Sequence, residues 1–416
     1  MRRVSVSVAM RKVGYSLPVA VVAAVVAAAA ATLLIRPRGG LIEPAAVDAT
    51  AYFSPAQIER AEDFRGPQRL LALAGLGLSG LTLVLIALRL PRERLRGRPV
   101  VGAAAAGAGI AAALVLVNLP LDAVRHQRAV DVGLSTQDWG PWLGDVAKAA
   151  GIGAVFAAGG GALAVALWRR FGRRWWIPAS GAVIAVSAVF VYVSPLVIEP
   201  LFNRFDELPE SKLRADVLEL AERADVDVGE VYRVDASRRT TGANAYVAGL
   251  GHSKRVVLYD NLIEDFTPAE VRSVVAHELA HVKHDDVPRG LLFLALIAPP
   301  GMLLVQRIAE RLAPGAQGAD LVPALAVALA LVSFAGQIAG SYVSRGVEAR
   351  ADAFALRLTD DSDAFIALER RLTIQNISEP DPPALLHSLF GTHPTTLERI
   401  GYGVGYLREH PSSRSD

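Results

Sequence analysis

Two histidines and a glutamate within residues 267–286 have the types and spacing needed to hold a metal ion beside a base. This segment reads TPAEVRSVVAHELAHVKHDD. His277 and His281 are four residues apart, so on a helix they share one face with about 6 Å between their Cβ atoms. Two imidazoles so placed can bind one Zn²⁺. Glu278 can then act as general base toward a water molecule at the metal, which makes this an HExxH pattern.

The segment also carries the signals that start a helix. Thr267 is a preferred N-cap residue, Pro268 suits the first helical position, and Glu270 can close a capping box with Thr267. A chance match on an amphipathic helix is the alternative interpretation, because short motifs also arise by accident. The rest of the chain favours the metal site.

A third protein ligand is required, because a catalytic zinc ion keeps one position open for water. Residues 344–354 read SRGVEARADAF, in which Glu348 and Asp352 lie four apart and can both face the motif helix. Glu348 could supply the ligand, and Asp352 could accept a hydrogen bond from a ligand histidine and so orient it. The alternative is that Glu348 is an exposed acid paired with Arg345 or Arg350. HExxH in a chain with eight histidines favours the ligand role.

Composition indicates a membrane protein. Hydrophobic residues make up 52% of the 416 positions, mean hydropathy is +0.34, and long runs carry no charge. The net charge of +2 is too small to suggest nucleic-acid binding. The chain has no cysteine, which excludes disulfides and thiolate ligands, so zinc must use His, Asp or Glu.

Seven apolar runs are long enough to cross a bilayer. They cover residues 13–35, 70–88, 99–121, 149–168, 176–198, 290–305 and 321–340. The first follows four basic residues and is long for a signal peptide, so we expect a retained helix, with a cleaved signal peptide as the alternative. Pro-Pro-Gly at 299–301 predicts a kink or an interruption. Gly-Gly-Gly at 159–161 would let neighbouring helices approach closely.

Arginines crowd two connections, at positions 89–98 and 169–174. The positive-inside rule places both connections and the N-terminus in the cytoplasm. Alternation of the spans then places the motif helix and the C-terminus outside. Trp168, Trp175 and Trp176 stand where an interfacial aromatic belt is expected.

The chain after the fifth span has the pattern of a mixed α+β domain. Residues 211–224 and 363–377 have helical periodicity, 231–235 and 255–259 predict strands, and 244–251 predicts an edge strand ending in a glycine turn. We therefore expect a mainly α, polytopic membrane protein whose metallopeptidase domain is split by the last two spans. The four parts are 1–198, 199–289, 290–342 and 343–416.

These motifs together resemble a known family. HELAH and SRGVEARADAF are similar to the HExxH and SRxxExxAD patterns of the membrane-bound zinc metallopeptidases typified by the type I CAAX prenyl protease. Similar blocks are GLSTQ at 133–137, WLGD at 142–145, PLFNRF at 200–205, SRRT at 237–240, NAY at 244–246 and THP at 392–394. The resemblance covers most of the chain. It implies a seven-helix barrel around a water-filled chamber, closed by a zincin-like domain.

The resemblance implies roles for the matching residues. His277, His281 and Glu348 would bind one Zn²⁺ per chain. Glu278 would activate water, and His393 would stand near the oxyanion as a hydrogen-bond donor or electrophile.

It also implies how substrate is held. Asn244, Ala245 and Tyr246 would offer an edge strand to an extended peptide. Arg345 would be a structural ion-pair partner.

Two features depart from the family. Eukaryotic members often carry another histidine several residues after HExxH, but His284 would lie about 10 Å along the helix axis from His277. That is too far to share the metal, so we predict a solvated residue. Eukaryotic members also present the catalytic domain to the cytosol, whereas the charge count favours the outside here.

We therefore predict an integral-membrane zinc metalloendopeptidase. Its partners would be the lipid bilayer and peptide or membrane-tethered protein substrates, including lipid-modified ones, and not nucleic acid. One alternative is a non-enzymatic seven-helix sensor or transporter with structural histidines. A second, a protease with HExxH inside the bilayer, is disfavoured by charges close to the motif at Arg272, Lys283, Asp285 and Asp286.

Overall fold

The structure is a computed structural model that describes residues 16–89, 98–249 and 254–410. Helices account for most of these residues, and four strands form a small sheet. The helices are α1 (Leu17–Ile35), α2 (Ala49–Tyr52), α3 (Pro55–Arg89), α4 (Pro99–Asp131), α5 (Trp139–Phe171), α6 (Trp176–Val197), α7 (Lys212–Arg223), α8 (Asp260–Asp265), α9 (Pro268–Lys283), α10 (Asp286–Leu312), α11 (Val322–Thr359), α12 (Ser362–Gln375), α13 (Ala384–Phe390) and α14 (Thr396–Glu409). The strands are β1 (Phe205–Glu207), β2 (Glu230–Val234), β3 (Ala245–Ala248) and β4 (Arg255–Tyr259).

Seven helices in the described ranges are long and apolar enough to cross a membrane, namely α1, α3, α4, α5, α6, α10 and α11. Each overlaps one of the apolar runs, so the predicted number and order of spans are confirmed. Arg92, Arg94 and Arg96, together with the basic residues before α1, lie outside the described residues. The charge argument for topology therefore stays a prediction, as does the four-part division of the chain.

The spans contact one another in a ring. α3 packs on α4, α4 on α5, α6 on α10, α10 on α11, and α11 on α3. α1 packs against both α10 and α11, where Ile35 meets Phe293 and Val343. α5 and α6 touch at only a few positions, and this seam between them is the loosest contact in the ring among the described residues.

Glycines bring α4 and α5 close together. A Cβ added at Gly107 would clash with the carbonyl oxygen of Ala157, and one added at Gly161 would lie 2.5 Å from that of Ala103. The predicted close approach is therefore seen at Gly161. The two glycines before it face open space.

One expectation about the spans is wrong. Trp175 is 1% exposed, because it packs among residues of α10 and α11 such as Val305 and Leu325, so it is not part of an interfacial belt. α10 runs through Pro299 and Pro300 as one helix, so these prolines do not interrupt it, and a kink there stays a prediction.

The sheet has the strand order β1-β2-β4-β3, with β2 parallel to β4 and the outer strands antiparallel. The three predicted strands are present, and β3 lies at an edge as expected. Leu250 and Gly251, in the predicted glycine turn, lie outside the described residues. β1 was missed because three residues are too few to show a period. The sheet packs on α9, where Val275 and Leu279 are fully buried beside Val256 and Leu258.

Candidate metal centre

The capping box fixes the start of α9. Glu270 N donates to Thr267 Oγ1 over 3.3 Å, and Thr267 N donates to Glu270 Oε2 over 2.7 Å. With the start fixed and the apolar residues buried against the sheet, the helical period sets the direction of every other side chain. His277 and His281 consequently emerge on the same side, facing α11.

Glu348 reaches these histidines from a different part of the chain. α11 continues as one helix from its membrane span into the domain that contains α9, so a single helix is both span and carrier of this carboxylate. Glu348 Oε2 lies 3.1 Å from His277 Nε2 and 3.8 Å from His281 Nε2. The two imidazole nitrogens are 3.3 Å apart. Three donor atoms therefore converge on one point.

The spacing of these atoms fits a zinc ion. Ligands at roughly 2.1 Å in a tetrahedral arrangement are about 3.4 Å from one another, which is the mean of the three separations. Two imidazoles and a carboxylate are also a donor set used by catalytic zinc. Glu278 places a further carboxylate oxygen within 4.8 Å of both histidine nitrogens. Two carboxylates thus lie beside the pair of imidazoles, one from α11 and one from α9.

Each histidine is oriented by an acid at its other nitrogen. His277 Nδ1 lies 2.8 Å from Asp352 Oδ1, and Asp352 is fully buried. His281 Nδ1 lies 3.0 Å from Asp286 Oδ2. A proton on Nδ1 leaves the lone pair of Nε2 free for a metal. Asp352 stands where we expected it, whereas the contact of Asp286 was missed, because it depends on the turn between α9 and α10.

A buried arginine holds the position of Asp352. Arg399 of α14 donates to Asp352 from Nη2 over 2.6 Å and from Nε over 2.9 Å. Its Nη1 lies 2.8 Å from Glu369 Oε2, and burial raises the pKa of Glu369 to about 7. Forked contacts of this kind fix a carboxylate in orientation as well as charge. No spacing in the sequence links Arg399 or Glu369 to Asp352, so the sequence did not predict these contacts.

Comparison with known proteins gives the family. Residues 207–402 match peptidase family M48, and residues 105–204 match the CAAX prenyl protease N-terminal domain of five membrane helices. An uncharacterized metalloprotease of Bacillus subtilis, YhfN, is 30% identical over 297 residues, which are 68% of this chain and 69% of that protein. The chain belongs to the M48 family. It is a multi-pass membrane metallopeptidase.

Two further likenesses agree with M48 membership. A CAAX prenyl protease 1 homolog of Arabidopsis thaliana is 31% identical over 256 residues, which are 58% of this chain and 56% of that protein. The chain thus spans little more than half the length of the plant relative. The crystal structure of S. mikatae Ste24p matches with a TM-score of 0.75 at 19% identity, over 93% of this chain and 98% of that one. That likeness shows the fold.

His393 stands at the open side of the M48 site. Its side chain is 57% exposed, and its Nε2 lies 3.3 Å from Glu348 Oε2. Arg345 was expected to form an ion pair, and among the described residues its hydrogen bonds go to backbone oxygens instead. It donates to the carbonyl oxygens of Gly391 (2.7 Å) and His387 (3.3 Å), and so anchors the segment that leads to His393.

His284 differs from expectation. Its ring lies edge to face against Phe354 with 5.6 Å between centroids, so it is half-buried and not fully solvated. Its side chain is held by this contact at the end of α9.

β3 is an edge strand, and some of its backbone groups point away from the sheet. Tyr259 N donates to Asn244 O over 3.1 Å, so in the antiparallel ladder the alternate residues Ala245 and Val247 direct their N–H and C=O groups away from β4. Asn244 Oδ1 accepts from the Ala245 N–H. Val247 therefore offers backbone groups to an added strand, and it was not among the predicted residues. Tyr246 donates to Glu199 over 2.6 Å, and burial together with Glu199 raises the pKa of its hydroxyl.

Proposed function

We propose that the chain is a zinc-dependent endopeptidase that cleaves extended segments of peptides and membrane-tethered proteins, including lipid-modified ones. The observation that carries this proposal is the convergence of His277 Nε2, His281 Nε2 and Glu348 Oε2 beside Glu278. The name of the plant relative supports prenylated proteins as one substrate class.

A zinc ion bound by these three residues would supply Lewis-acid chemistry, lowering the pKa of a water molecule and polarising a carbonyl group. Glu278 would accept the proton of the attacking water and pass it to the leaving amine. Burial raises the pKa of Glu278, which makes its carboxylate a stronger base than an exposed one.

His393 would stabilise the oxyanion that forms as water adds to the carbonyl. Its Nδ1 lies 2.9 Å from the Thr392 hydroxyl. When that hydroxyl donates to Nδ1, the proton of the neutral ring is on Nε2, which is the atom nearest Glu348. Burial lowers the pKa of His393 and so favours the neutral ring. Nε2–H is then a hydrogen-bond donor at the metal site.

The substrate would bind as an added strand on β3. Pairing with Val247 gives main-chain hydrogen bonds that do not depend on the peptide sequence. Asn244 and Tyr246 would flank the substrate with their side chains, whereas Ala245, which is 3% exposed, would contribute only its backbone.

Metal content and metal dependence test this function. We expect purified protein to hold one zinc ion per chain, and a chelator to abolish peptide hydrolysis until zinc is restored. Removing the metal should leave the membrane ring folded, because its contacts are apolar. Protein that binds no metal at His277 and hydrolyses no peptide would favour the sensor or transporter instead.

We further propose that the catalytic domain faces the outside of the cell, as the charge count favours. Because the chain has no cysteine, Glu210→Cys gives a single thiol on a side chain that is 90% exposed. We expect a membrane-impermeant maleimide to label it in intact cells. Arg170→Cys, at the exposed opposite end of α5, is the matched control and should react after lysis. The reversed pattern would place the active site in the cytosol.

A further inference from the structure

A side chain from the end of α12 occupies the backbone that leads into β3. Asn376 follows α12 directly, and its Oδ1 accepts a hydrogen bond from the Ala243 N–H over 3.1 Å. Its Nδ2 donates to the carbonyl oxygen of Ala243 over the longer distance of 3.5 Å. One side-chain amide therefore pairs with both backbone groups of a single residue, as the backbone of an added strand would.

Ala243 belongs to the same outer edge as the residues that an added strand would use. Backbone groups along a strand alternate in direction, so Ala243 shares the outward direction of Ala245 and Val247. The N–H of Ala245 is already bonded to the side chain of Asn244. The outer edge therefore offers the Ala245 carbonyl oxygen and both groups of Val247, and at Ala243 its backbone groups are occupied.

The backbone that precedes this position is occupied as well. Thr241 donates its N–H to the Leu134 carbonyl oxygen over 3.1 Å, and its own carbonyl oxygen accepts from Gln375 over 2.8 Å. Gly242 makes room for these contacts, because a Cβ added there would lie 2.8 Å from Asn376 Oδ1. A strand added to β3 therefore has no free backbone partner beyond Asn376.

Contacts with the membrane ring hold Asn376 in place. The next residue, Ile377, has a φ of +48°, a left-handed conformation that β-branched residues rarely adopt. Ile377 is buried against Ala61 and Phe64 of α3, and Arg65 of the same helix donates to the carbonyl oxygens of Asn376 and Ile377. Strain of this kind persists only where the surroundings determine the conformation. The backbone at Asn376 is therefore fixed relative to α3.

We propose that Asn376 is a specificity-determining residue that ends the substrate strand at Ala243. This boundary rests on the proposed peptidase function and goes beyond it, because it limits how many residues can pair with the enzyme on one side of the cleaved bond. Residues of the peptide beyond the boundary must leave the sheet edge, so they add no main-chain hydrogen bonds. Peptide length on that side should therefore improve binding only up to a fixed number of residues.

Asn376→Ala removes the boundary, and Gln375→Ala is its matched control. Alanine lacks the amide, so the N–H and carbonyl oxygen of Ala243 become free to pair with substrate. Hydrogen-bonding positions recur every two residues along a strand, so the paired part of the peptide should lengthen by two residues. Asn376→Ser should act in the same way through its shorter side chain. Gln375→Ala removes contacts with Thr241 and Asp265 at the same end of α12 but leaves Ala243 paired.

The experiment measures KM for two series of peptides with blocked termini, using full-length protein in nanodiscs. A cleavable core is lengthened by one alanine at a time, at its N-terminal end in one series and at its C-terminal end in the other. In the wild type we expect the decrease in KM to stop at a fixed length at one end. In Asn376→Ala, two further residues at that end should lower KM again, by about fivefold for each hydrogen bond gained. Gln375→Ala should keep the wild-type limit.

The outcomes separate the boundary from the peptidase activity. If KM keeps falling with length at both ends in the wild type, or if the limit is unchanged in Asn376→Ala and Asn376→Ser, the boundary is overturned and the peptidase stands. A shifted limit in Gln375→Ala would also overturn the boundary, because the effect would then not belong to the backbone groups of Ala243. Cleavage of no peptide by the wild type would overturn both proposals.

Discussion

Replacing Glu278 by glutamine should leave the metal bound and lower peptide hydrolysis by about 10²- to 10⁴-fold, the usual contribution of a general base. The amide keeps the shape of the side chain but cannot accept the proton of water. His277, His281 and Glu348 supply the three converging donors without it, so the metal does not need Glu278 as a ligand. Zinc content and kcat measured on the same preparation check both halves of the prediction.

Two comparisons make this result specific. Glu210→Gln changes an exposed carboxylate that pairs with Arg214 and should leave kcat unchanged. His277→Ala and His281→Ala should lose metal and activity together. Near-normal turnover in Glu278→Gln would exclude Glu278 as the base, and loss of zinc in that variant would make it a ligand.

Glu348→Ala should bind almost no zinc, whereas Asp352→Asn should keep zinc with an affinity lowered about 10- to 100-fold. The first change removes a donor atom from the converging three. The second leaves all three donors in place and loosens only the hydrogen bond that orients His277. Titration of zinc into each metal-free variant measures the difference directly.

The surroundings of Asp352 predict one further distinction. Arg399 loses a charged partner in Asp352→Asn and becomes a buried cation held by Glu369. That variant should therefore melt at a lower temperature than the wild type, because a buried cation that loses one of its two carboxylate partners is less well compensated. Asp206→Asn, at a half-exposed site, is the control and should affect neither property. A weaker zinc affinity in Asp352→Asn than in Glu348→Ala would show that the two carboxylate roles had been exchanged.

Features encoded by local order along the chain could be predicted. The capping box requires two residues that are three positions apart, and the histidine pair requires two that are four positions apart. A membrane span requires a run of about 20 apolar residues. Each of these signals lies within a single helix or strand, so α9, the spans and the three longer strands could be predicted without knowing the tertiary structure. β3 was placed at an edge for the same reason, since its glycine turn follows it directly.

What the sequence by itself determined was therefore the elements and the candidate metal ligands. Tertiary structure alone decided the residues around those ligands, because their contacts join segments far apart in the chain. Arg399 meets Asp352 across 47 residues, and Arg345 finds backbone carbonyl oxygens where an ion pair was expected. Trp175 is buried because α10 and α11 cover it. The loose contact between α5 and α6 likewise could not be predicted from the sequence of either helix. How closely two helices pack depends on both helices and on the other spans in the ring.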